Sequence, residues 1–85
     1  MNAETAEGRA RSYMMGDVAR ETGLSIDTLN YYLRIGLLEA VDRSDRNGYR
    51  YFDDTSIAFL ERVKVLRLEK VPIKEIIRRK QEGAV

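Results

Sequence analysis

The stretch Ala19-Arg20-Glu21-Thr22-Gly23-Leu24-Ser25-Ile26-Asp27-Thr28-Leu29-Asn30-Tyr31-Tyr32-Leu33-Arg34-Ile35-Gly36 decides the reading of this 85-residue chain. Gly23 tolerates a positive φ at the least cost, so it ends one helix. Ser25 follows as an N-cap, because its hydroxyl can accept from an orphan backbone N–H of the next helix. Beyond it Ile26, Leu29 and Leu33 recur at three and four residues and form one apolar stripe. The spacing predicts a helix from Ile26 to Arg34, stopped by Gly36. Asp27, Thr28, Asn30, Tyr31 and Arg34 lie on its other faces. Two short helices joined by a tight glycine turn make a helix-turn-helix.

Toward the N-terminus, Gly16 and Asp17 open the first helix, with Asp17 placed to favour its dipole. Met15 is the first side chain expected inside, followed by Val18, Ala19 and either Thr22 or Leu24. Residues 1–12 are polar with small side chains and read as a flexible tail.

Toward the C-terminus, Leu37 and Leu38 return the chain to the core, and Glu39 to Asp42 are extended. Asn47-Gly48 is a turn signal, and Tyr49-Arg50-Tyr51-Phe52 has the aromatic content of a strand. These segments predict a two-stranded β-hairpin with its tip around Ser44 to Asn47. Asp53 caps a third helix, in which Ile57, Leu60, Val63 and either Leu66 or Arg67 keep helical spacing while Leu68 falls off the stripe. Pro72 ends that helix and opens a fourth, with Ile73, Ile76 and Ile77 facing inward and Gly83 at its end. The expected fold is mainly α: a winged helix-turn-helix of four helices with a two-stranded β-hairpin wing, in the order helix, helix, hairpin, helix, helix. Residues 13–82 make up this domain, and residues 83–85 are its C-terminal end. Its core draws on Met15, Val18, Ala19, Leu24, Leu29, Leu33, Leu37, Leu38, Phe52, Ile57, Leu60, Val63, Ile73 and Ile76.

Composition narrows the chemistry. Cysteine and histidine are both absent, which removes disulfides, thiolate metal sites, a cysteine nucleophile and an imidazole base. No glycine-rich phosphate cradle or calcium-loop spacing occurs, so neither an enzyme nor a cofactor or metal site is expected. No apolar run could span a membrane and no signal sequence is visible, so the expected location is cytoplasmic. The net charge is only +1, yet residues 62–80 hold eight basic side chains against Glu69 and Glu75, a local +6. That asymmetry reads either as an anionic footprint or as two solvated helices.

An α-helix matches the width of the DNA major groove, so the helix after Ser25 is the candidate reader of a duplex. Asn30 can pair bidentately with adenine, and Thr28 can reach a base edge or a phosphate. Tyr31 and Tyr32 offer hydroxyls to phosphates, although one of the two is expected to be partly buried. Asp27 reads either as a base contact or as a charge favoured by the helix dipole. Arg34 completes this helix, and the hairpin adds Arg43, Arg46 and Arg50, of which Arg50 contacts phosphate or braces a carboxylate. Together these nine residues are the expected DNA-binding set.

The order and spacing of Ala19-Arg20-Glu21-Thr22-Gly23-Leu24-Ser25, Thr28-Leu29, Tyr31-Tyr32, Gly36-Leu37-Leu38, Asn47-Gly48-Tyr49-Arg50-Tyr51-Phe52 and Val71-Pro72-Ile73-Lys74-Glu75-Ile76 resemble the DNA-binding domain of the MerR family of bacterial transcription regulators. The resemblance implies sequence-specific binding of double-stranded DNA, with the second helix in the major groove and the wing on the backbone. It places Asp27, Thr28, Asn30 and Tyr31 on reading positions, and Tyr32, Arg43 and Arg50 on backbone positions. It also implies a homodimer in a longer protein or on DNA, and contact with RNA polymerase. Asn30 stands where the family commonly has arginine, and Asp27 where it often has a basic residue. Two other readings remain: an architectural or excision-type DNA-bending protein of a mobile element, and a helix-turn-helix repurposed for protein–protein interaction.

Overall fold

The computed structural model describes residues 12–43 and 48–85. Four helices order the chain: α1 (Met15–Thr22), α2 (Ile26–Arg34), α3 (Asp54–Leu68) and α4 (Ile73–Gln81). Each begins and ends for a local reason. At α1 the Asp17 carboxylate accepts from the Met14 backbone N–H at 3.0 Å, and Gly23 closes the helix at φ +78°. At α2 the Ser25 hydroxyl accepts from the Thr28 N–H at 3.0 Å, satisfying one of the orphan donors of a helix start. Asp53 does the same for α3 through the Ser56 N–H at 3.1 Å, and Pro72 precedes the first turn of α4.

The core is one cluster of Tyr13, Val18, Leu29, Tyr32, Leu37, Leu38, Phe52, Leu60, Val63, Leu66 and Ile76. Of the residues expected inside, Met15, Ala19, Leu24, Leu33, Ile57 and Ile73 are only partly buried and pack around it. Thr22 is the buried residue of the pair left open with Leu24, because its hydroxyl donates to the Val18 carbonyl at 2.7 Å and accepts from the Leu24 N–H. Leu66, not Arg67, continues the α3 stripe, and Leu68 stands 82% exposed.

The expected two-stranded β-hairpin wing needs correcting. Among the described residues the chain between α2 and α3 builds no wing, only two-residue strands, β1 (Asp42–Arg43) and β2 (Arg50–Tyr51), in antiparallel register with Asp42 opposite Tyr51 and Arg43 opposite Arg50. Two causes end the ladder on the side away from residues 44–47. Leu37 and Leu38 are spent on burial, with both backbone N–H groups on the Tyr32 carbonyl, so Glu39 and Ala40 leave the core too late to pair. Past Tyr51 the backbone pairs instead with the other end of the domain, where Tyr13 and Phe52 exchange two hydrogen bonds of 2.8 Å. Among the described residues the fold is therefore four helices with a minimal ladder. The expected hairpin tip, with Arg46, and the expected tail, apart from Ser12, lie outside the described residues.

Candidate nucleic-acid interface

The site begins with how α1 and α2 are held. The turn between them is closed by the Gly23 N–H on the Ala19 carbonyl at 2.8 Å. The last carbonyl of α1, that of Thr22, would otherwise be an orphan acceptor. It accepts from the Lys64 ammonium at 2.6 Å, which ties the turn to α3. Leu29 and Tyr32 then seat α2 on the core.

This seating sorts the expected site residues by helical phase. Asp27, Asn30, Tyr31 and Arg34 share one arc of α2 and are exposed. Arg34 lies over the Tyr31 ring, with its guanidinium carbon 5.6 Å from the centroid, so the cation is held near the surface by a cation–π contact. Thr28 sits at the arc's edge, half-buried, its hydroxyl accepting from that of Ser25 at 2.9 Å. Tyr32 falls on the opposite side, 7% exposed and tilted against Tyr31, so the buried member of the tyrosine pair is Tyr32.

Arg50 is brought to the same place by β2. An open cleft of about 820 Å³ runs between α2 and the ladder, lined by Asn30, Arg34 and Arg50 together with Glu39 and Asp42. Arg50 makes no ion pair among the described residues, so the alternative of bracing a carboxylate is not what the geometry contains. Arg43 enters through its backbone pairing with Arg50.

The basic run at the C-terminus behaves differently. Arg78 bridges Glu75 and Glu82, Arg79 binds Glu75 at 2.8 Å, Lys80 lies 3.7 Å from Glu39, and Lys64 pairs with Glu61. Hydrogen bonds from Arg78 and then Arg79 hold the Glu75 carboxyl down at about 2, well below the usual carboxylate range. Four of the eight cations, Lys64, Arg78, Arg79 and Lys80, are thus engaged by carboxylates of the chain itself, while Arg62, Arg67, Lys70 and Lys74 make no ion pair among the described residues. Sequence alone did not show this, since pairing depends on which face each side chain takes. Among the described residues no group of three His, Cys, Asp or Glu side chains could hold a metal ion, and no helix is long and apolar enough to cross a membrane.

The description "MerR HTH family regulatory protein" matches residues 13–82, which contain every element above. The chain belongs to the MerR HTH family. Within it, the chain is 38% identical over 71 residues to the transcriptional regulator BrlR of Pseudomonas aeruginosa, covering 84% of this chain and 26% of that protein. Among solved structures it resembles HiNmlR, "a MerR family regulator lacking the sensor domain, bound to promoter DNA", with a TM-score of 0.77 at 29% identity over 86% of this chain and 55% of that one. It also resembles the HTH-type transcriptional regulator SkgA from Caulobacter crescentus, with a TM-score of 0.73 at 31% identity over 82% of this chain and 50% of that one. This MerR HTH chain spans less than half the length of the curated relatives it matches.

Proposed function

We propose that this chain binds double-stranded DNA sequence-specifically as the DNA-reading part of a transcription regulator, with α2 in the major groove. The observation that carries the reading is the exposed arc of Asp27, Asn30, Tyr31 and Arg34, of which Asn30 and Arg34 border a cleft whose far wall supplies Arg50. An arc of base-sized hydrogen-bonding groups flanked by cations is what groove reading requires. The likeness to HiNmlR, solved on promoter DNA, supports the same reading.

Within it, Asn30 and Asp27 address base edges, Thr28 and Tyr31 the groove wall, and Arg34, Arg43, Arg46 and Arg50 the phosphates. Tyr32 acts from the core, steadying α2. Dimerisation and contact with RNA polymerase are extensions of the same reading. A DNA-reading role sets the chain in the bacterial cytoplasm, beside the chromosome.

Binding of labelled duplexes of promoter and scrambled sequence, titrated at two salt concentrations, tests the proposal. A preferred duplex whose affinity falls with salt supports it. Equal affinity for every duplex removes the sequence-specific claim.

A further inference from the structure

Of the four helix-start aspartates among the described residues, Asp54 takes the Tyr13 hydroxyl, and the other three are used differently from one another. Asp17 accepts the Met14 backbone N–H, and Asp53 accepts the Ser56 N–H, so each caps its helix. Asp27 caps nothing, because Ser25 already holds the Thr28 N–H. Its carboxylate is exposed and makes no hydrogen bond or ion pair among the described residues. Asn30, one turn further on the same arc, is exposed and equally unengaged. A carboxylate on a surface meant for a polyanion is unfavourable unless the complex supplies it with a donor.

Major-groove chemistry limits what that donor can be. The base edges there offer only two amino donors, N4 of cytosine and N6 of adenine. Guanine presents two acceptors, which would oppose a carboxylate. Adenine sets an acceptor beside its amino group, so cytosine is the better match for Asp27. An amide, which both donates and accepts, suits adenine's paired N6 and N7. Residues three apart on a helix lying in the groove can meet successive bases. Arg34 follows one turn later, steadied on Tyr31, and offsets the charge of Asp27 against the phosphates.

We infer that Asp27 and Asn30 form a reading pair that selects cytosine next to adenine, making this dinucleotide the fixed element of the preferred duplex. The inference rests on the proposal that α2 enters the major groove. It separates this chain's site preference from that of any domain carrying a cation at either position.

The test is selection from a pool of randomised duplexes with the full chain, Asp27→Asn and Asn30→Ala, each checked by circular dichroism for an unchanged melt. The unaltered chain should enrich adjacent cytosine and adenine, each favoured by roughly ten- to hundred-fold over the wrong base. Asp27→Asn should lose the cytosine preference, keep the adenine one and bind all duplexes more tightly. Asn30→Ala should lose adenine alone. Retained duplexes whose preferred bases do not change in Asp27→Asn overturn the inference while leaving groove binding intact. Failure of the unaltered chain to retain any duplex overturns the groove reading and this pair with it.

Discussion

The Lys64 ammonium, in the C-terminal half of α3, donates to the backbone carbonyl of Thr22 at 2.6 Å across 42 residues of chain. That bond closes the C-terminal end of α1 at the turn that aims α2, so a surface-type residue acts as a fastener inside the helix-turn-helix. Lys64→Met keeps the aliphatic stem and removes the donor. Hydrogen bonds from charged groups contribute about 1.5–3 kcal/mol when buried, and partial exposure here reduces that to about 1 kcal/mol. A thermal melt should fall by about 4–8 °C, as expected for a domain of this size.

Lys70 is the only non-glycine residue at positive φ among those described, at +68°. It follows the end of α3, where its N–H bonds the Arg67 carbonyl and that of Val71 bonds the Leu66 carbonyl, the pattern that favours glycine. Lys70→Gly should stabilise the domain by about 0.5–1 kcal/mol, read from the denaturant midpoint at unchanged slope.

Tyr13 donates its hydroxyl to the Asp54 carboxylate at 2.6 Å and is itself in the core. Tyr13→Phe keeps the ring and the backbone pairing with Phe52 but leaves the carboxylate without that donor. A loss of about 1–2 kcal/mol is expected on denaturant titration, and Tyr13→Ala should cost more by opening a cavity.

Acid should loosen α4. Glu75 in the folded chain holds its proton only at about 2, against an ordinary value of 4.5, because Arg78 and Arg79 hydrogen-bond its charged form. A lowered folded value means the unfolded state binds the proton first. This contribution is therefore complete above about 4.5 and fades as pH falls toward 2. Melting curves across that window should show a decline that Glu75→Gln flattens.

The free and the paired arginines should separate on DNA. Arg50→Ala should weaken every duplex to a similar degree and lower the salt slope by about one, as loss of one phosphate contact does. Arg78→Ala, which removes a cation already shared by Glu75 and Glu82, should leave both unchanged. Equal effects from the two would remove the assignment of Arg50 to the cleft.

What the sequence determined by itself was the helical frame, including the face that α2 turns outward. Gly23, Ser25 and Gly36 mark helix limits through short-range sterics and capping, and the spacing of Leu29 and Leu33 sets which side is apolar. Those signals act over a few residues, so they are visible in one dimension. The tertiary structure decided what joins distant parts: Tyr13 on Phe52 and Asp54, Lys64 on Thr22, the burial of Tyr32 instead of Tyr31, and the pairing of Lys80 on the last helix with Glu39. Among the described residues it also left the expected wing two residue pairs, because Leu37, Leu38 and Phe52 had partners elsewhere. Side-chain type states what a residue is able to bond. Only the assembled core determines which groups come within reach.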